Sequence, residues 1–293
     1  MSYAMLLEEY KAEQEAANVT FASIAENIDA IRNFVAEDVT LDFSIELESA
    51  SDVEAIKEAA EESKKNFFVK IGNKLKEVFE KLVARAKEIF QKAVIAAANG
   101  GNNLMKKLIK DKAVTKSAVT LKELENLSFG DILIVESKMS TLMNKVAAKG
   151  ATSAATEHDD EDKRLVDNVF RDSKIQTKPS KSYPAGTSVA TLHKDYVEGF
   201  ITKINYKKFN EDIKKAANDA KTMANAYTSG GDLEKLNKDV AVSFMKLGTS
   251  YVELNFQLVT IGVANAAKIA GACIKKDKAE KAEEKKEEKK EEK

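Results

Sequence analysis

The chain has one cysteine, two prolines, two histidines and no tryptophan in 293 residues, and each shortage closes off a class of protein. Cys273 alone rules out an intramolecular disulfide and every zinc site built on paired cysteines. Set in an alanine-rich helix end, it reads as a small buried hydrophobe. Neither His158 nor His193 sits in a zinc-helix spacing. His158 is followed by Asp159, Asp160, Glu161 and Asp162, but the run lacks the alternating ligands and fixed glycine of a calcium loop, and reads as a solvated acidic stretch. Gly72 to Lys74 lacks the upstream glycines of a phosphate-binding loop. Carboxylates are spread so evenly that no pair stands out as acid and base. The expectation is a non-enzyme with no metal, no cofactor and no small-molecule substrate.

Long apolar runs are also scarce. The longest uncharged stretch, Leu254 to Ala267, holds Asn255, Gln257, Thr260 and Asn265 and falls short of the roughly 20 apolar residues of a membrane span, so it reads as a buried core helix. The N-terminal MSYAMLLEEYKAEQEAA has neither the basic start nor the apolar centre of a secretory signal, and its acidity argues against a mitochondrial transit peptide. What remains is the usage of a mainly helical protein: 32% charged, 43% hydrophobic, few glycines and prolines, and Ala, Lys, Glu and Leu dominant. The formal net charge of −1 conceals local imbalance.

That imbalance is strongest in Ser63 to Asn99. An apolar stripe, Phe68, Ile71, Leu75, Val78, Leu82, Ala86, Ile89 and Ala93, advances by threes and fours, and Phe67, Phe79 and Phe90 widen it. Around it stand Lys64, Lys65, Lys70, Lys74, Lys76, Lys81, Arg85 and Lys87, outnumbering Glu77, Glu80 and Glu88. A second basic helix, Leu104 to Lys116, sets Leu104, Leu108 and Ile109 against Lys106, Lys107, Lys110 and Lys112. If the two helices pack their apolar faces together, their lysines lie outward over one surface. The bland reading is a core helix with snorkelling lysines; the excess of cations points instead to DNA phosphate, an anionic membrane or an acidic partner.

The rest of the chain divides by pattern. Residues 1–50 start with a helical region over Tyr3 to Val35, with a break or N-cap near Asn18 or Thr20. They end in Val39 to Ser51, whose alternation is strand-like but which lacks an obvious partner beyond Ile132 to Val135, so an extended connector is favoured. Residues 51–148 form a basic helical domain interrupted by Asn99-Gly100-Gly101-Asn102, with a further helical turn at Leu121, Leu124 and Leu127. Residues 149–190 read as a flexible linker holding both prolines and at most one short helix, Arg164 to Phe170. Residues 191–274 read as a helical hairpin turning at Ser229 to Asp232. Residues 275–293 repeat EEKK, which sets like charges four apart and predicts a disordered charged tail. The expected fold is mainly α, helical bundle and hairpins with at most one short β element.

The stretch SKKNFFVKIGNKLKEVFEKLVARAKEIFQK, with a short acidic region before it and further lysine-rich helices after it, resembles the internal head proteins of giant, phiKZ-like tailed bacteriophages. The resemblance covers the N-terminal half. It implies a virion protein of the capsid interior, made in the host cytoplasm and packaged with the genome beside other virion proteins. It also implies trimming by the phage head-maturation protease, whose sites follow a small residue, any residue, then Glu. Ser44-Ile45-Glu46 fits, as does Ala60-Glu61-Glu62. The function expected is therefore non-enzymatic and structural, with the twelve cations above holding double-stranded DNA without sequence preference. The alternatives are a membrane-active amphipathic protein and, more distantly, a helical adaptor or scaffold.

Overall fold

A computed structural model describes residues 3–37, 53–89, 92–124, 139–148, 160–172, 177–178, 181–198, 206–229 and 236–291. The three-and-four spacing of apolar residues carries the chain into α1 (Tyr3–Glu37), α2 (Val53–Ile89) and α3 (Lys92–Lys110). A short α4 (139–148) follows, then α5 (Asp160–Asp172) and α6 (Val189–His193), which runs into a π-helical turn at Lys194–Glu198. The last two are α7 (Tyr206–Thr228) and α8 (Lys238–Glu291). The protein is mainly α.

The central element is α8, buried almost continuously from Val240 to Cys273. α1 lies antiparallel to it: Arg32 meets Glu253, Phe21 meets Phe256, and the Tyr10 hydroxyl donates to the Val263 carbonyl at 2.9 Å. α2 and then α3 run parallel to α8, with Phe79 stacked on Phe244 and Gly101 beside Ala266. α7 returns antiparallel along α2, bringing Tyr227 onto Phe68 and its first turns to Tyr251. One hydrophobic core therefore takes residues from Leu7 to Cys273.

Several expectations are corrected. α1 passes unbroken through Asn18 and Thr20, because Ala17 and Phe21 are buried on one face and the Thr20 hydroxyl bonds back to Ala16 within the helix. α3 passes through Gly100 and Gly101. These glycines serve close packing, since a Cβ at Gly101 would lie 2.7 Å from the Tyr10 hydroxyl and 3.1 Å from the Ala266 methyl. Leu121 and Leu124 do not form a helical turn. Here β1 (Val119–Thr120) pairs with β4 (Ser182–Tyr183), and β2 (Glu123–Leu124) with β3 (Thr177–Lys178), in two antiparallel two-residue ribbons. The segment read as a linker thus contributes strands, while the short helix expected over Arg164 to Phe170 is α5, longer at both ends and with Val166 buried. The C-terminal helices make a looser hairpin than expected, because α7 packs principally along α2. Residues 278–291 are all Ala, Glu and Lys, strong helix formers, and α8 continues to Glu291 where disorder was expected. Val39 to Ser51, Leu127 and Ile132 to Val135 lie outside the described residues.

Candidate nucleic-acid interface

The twelve cations divide by what surrounds them. Lys74 is buried. Its ammonium donates to the Phe34 carbonyl at 2.6 Å and sits 4.3 Å from the centre of the Phe34 ring, so it fastens α2 to α1 and is no phosphate contact. Lys81 lies over the same ring at 5.0 Å and pairs with Glu77 at 2.6 Å. Arg85 pairs with Glu88 at 2.6 Å, and Lys76 stands 4.0 Å from Glu80. These pairs are one helical turn apart and mostly solvated, so each adds a few tenths of a kcal/mol to the helix while offsetting a cation locally.

Lys65, Lys70, Lys87, Lys106, Lys110 and Lys112 are exposed and make no ion pair among the described residues. Lys64 is half-buried and Lys107 exposed. The helices that carry them are not stacked face to face as expected. Each buries its stripe separately, α2 against α1, α7 and α8, and α3 against α1 and α8, so the cations are strung end to end along the bundle. At a rise of about 1.5 Å per residue, Lys65 to Lys87 alone span roughly 33 Å of α2. Ser44 and Glu46 lie outside the described residues, while α1 just before them supplies Tyr10, Phe21, Ile24, Ile28 and Val35 to the core.

Sequence reasoning missed a second buried cation. Arg32 donates to Glu253 at 2.6 Å, and both are nearly inaccessible. Its guanidinium also donates to the Phe170 carbonyl and lies 4.1 Å from the Phe170 ring centre. Lys246 approaches that ring at 5.7 Å while pairing with Asp167 at 2.6 Å, so α5 is clasped onto α1 and α8 by two cations. A further polar knot joins α4, α7 and α8: Asp212 accepts from Tyr251 at 2.9 Å and from Ser140 at 3.2 Å, with Lys208 alongside. Both clusters are internally satisfied and read as clamps.

α8 also bears on the membrane alternative. Lys238–Cys273 is long and apolar enough to cross a bilayer by length and composition, which corrects the shorter span read from uncharged residues alone. Two-thirds of its most apolar window is buried inside the protein. The helix buries Glu253, Asn255 and Asn265, and the buried Asn255 and Gln257 side-chain oxygens have no partner among the described residues. An orphaned oxygen of this kind costs about 1–3 kcal/mol. Among the described residues no cluster of His, Cys, Asp or Glu is arranged to hold a metal ion. Comparison with family models, with curated proteins and with solved structures gives no match to this chain.

Proposed function

We propose that this chain is a non-enzymatic structural protein that holds double-stranded DNA through the phosphate backbone, in the setting its resemblance implies, the interior of a giant-phage head beside other virion proteins. The observation that supports it is the row of exposed lysines on α2, α3 and the turn that closes α3, without acidic partners among the described residues: Lys65, Lys70, Lys87, Lys106, Lys110 and Lys112. Packing explains the apolar stripes beside them but requires no such excess of one charge. A phosphate-only contact carries no base readout, so binding is independent of sequence. Neutralising six phosphates gives log K a slope against log salt of about −5. Titration of labelled duplexes of unrelated sequence between 50 and 200 mM salt, roughly the range over which such slopes are read, tests this. Absence of retention at low salt would sink the proposal.

Trimming after Glu46 belongs to the same proposal in altered form. Because α1 is built into the core, cleavage there would leave α1 held by packing rather than shed as a free propeptide. Mass spectrometry of denatured virion protein should then show both fragments, and a single chain beginning at Met1 would refute cleavage. The membrane reading is supported by the length and apolarity of Lys238–Cys273, and requires the fold to open first. Tighter binding to anionic vesicles than to DNA would favour it.

A further inference from the structure

We infer that DNA contact is centred on one end of the bundle, where the end of α3, the two ribbons and the Asn265 to Cys273 turns of α8 gather Lys110, Lys112, Lys116, Lys122, Lys181 and Lys268. The inference rests on the DNA reading above and relocates its centre away from α2. Backbone pairing brings these lysines together from distant parts of the sequence. The Lys116 amide donates to the Ala272 carbonyl at 2.9 Å. Asn265 grips Lys122 on both sides, accepting from its amide at 2.8 Å and donating to its carbonyl at 2.9 Å. Leu121 donates to the Lys181 carbonyl at 3.3 Å, and the Lys268 ammonium donates to the Thr120 carbonyl at 3.0 Å.

Two observations set this end apart from an ordinary solvated surface. Lys112 has φ +52°, at the left-handed position that closes α3: its amide reaches the Ile109 carbonyl and the Ala113 amide reaches the Leu108 carbonyl, both at 2.9 Å. Glycine is the favoured residue at that position, and lysine there keeps a charge at a backbone cost. Second, burial first and then the nearby Lys122 charge hold the Lys268 amine below its ordinary range. Like charges crowd together here. In residues 104–124, 181–198 and 262–273 lysine outnumbers Asp and Glu by more than two to one. A phosphate strand would relieve the crowding.

The same surface suits duplex DNA better than single strands or lipid. The exposed large apolar side chains among the described residues are Met5, Val19, Ile95 and Val114, none of them aromatic, and the Tyr183 ring at this end is half-buried edge-on against Tyr196. Val114 alone at this end gives little for insertion into lipid.

The test compares two variants of the full chain, each losing four lysines. One carries Lys110→Gln, Lys112→Gly, Lys122→Gln and Lys181→Gln; the other carries Lys65→Gln, Lys70→Gln, Lys76→Gln and Lys87→Gln. The first should flatten the salt slope for duplex DNA by about 3 to 4. The second should flatten it by less than half as much. Lys112→Gly alone should weaken binding while leaving the melting temperature equal or higher, and a lower melting temperature would overturn the backbone argument. An equal or larger loss in the α2 variant overturns this inference and leaves the DNA reading standing. No binding by the unmodified protein, or tighter binding to vesicles of anionic lipid or to single strands, overturns both.

Discussion

The two ends of the bundle are packed by different means. Where α2, α7 and α8 meet, aromatic rings fill the space: Phe68 stacks on Tyr227, Phe79 on Phe244 at 4.8 Å between centres, and Phe209 on Tyr251 at 5.2 Å. Where α1, α3 and α8 meet, Ala17, Ala97, Ala98, Gly101, Ala266 and Ala270 are interleaved with Tyr10, Leu104, Met105 and Leu108, and Gly101 gives room to the Tyr10 ring. Their surfaces differ too. On α2, Lys76, Lys81 and Arg85 have acids one turn away, whereas the end of α3 and the ribbons crowd lysines together. The aromatic end reads as the stabilising part of the molecule, and the other end as the part where lysines gather.

The sharpest way to break this contrast is a cavity at the aromatic end. Phe79 is 1% exposed, so Phe79→Ala should destabilise by about 4 kcal/mol, measured as a shift in urea midpoint at constant slope. Gly248 makes the result more specific. A Cβ there would lie 2.8 Å from the Phe79 ring, so Gly248→Ala should cost stability in the native background and lose most of that cost beside Phe79→Ala. If the two changes simply add, the stacked rings are not the tight element described above.

A smaller effect is expected at the other end from the opposite change. Gly101→Ala must displace Tyr10, whose hydroxyl is hydrogen-bonded to the Val263 carbonyl at a buried site. Overpacking of this kind costs about 1–3 kcal/mol. An exposed helical glycine would instead gain up to about 1 kcal/mol on becoming alanine. The sign of the change therefore decides whether Gly101 is a packing residue or a tolerated helix breaker.

That ambiguity shows where the sequence stops being legible. Apolar stripes are local, and Phe68 to Ile89 or Val240 to Ile261 can be read by spacing alone. Glycine serves equally to end a helix and to admit a neighbour, and only Tyr10 and Ala266, far away in sequence, decide between them at Gly101. The ribbons are two residues long and join positions some sixty apart, too little local pattern to read. The buried cations were more accessible. Lys74 lies three after Ile71 and four before Val78, and Arg32 four after Ile28 and three before Val35, so both occupy stripe positions that their charge alone led the reading to set outside. For the interface, helix lysines were visible as a class, but Lys116, Lys122, Lys181 and Lys268 are brought together only by tertiary pairing.

The smallest effect tests the close approach of α1 to α3. Glu13 lies against Gly100, where a Cβ would collide with its carboxylate, and Glu9 stands one turn before it on α1. Burial first, then the Glu9 charge, raises the Glu13 carboxyl above its ordinary value. A carboxyl raised in the folded state binds its proton more tightly there than in the unfolded chain. Its ionisation therefore subtracts from stability, beginning as pH rises past the unfolded value and complete above the folded one. Glu13→Gln should remove that loss and gain a few tenths of a kcal/mol at pH 7, the size of one like-charge pair on a helix, since the group is largely solvated. Below about pH 4 the carboxyl is protonated in both states and the gain should vanish. Urea melts of both proteins at pH 7 and pH 4 measure the difference. A gain at pH 4 as large as at pH 7 would mean that shape, not charge, sets the cost at this contact.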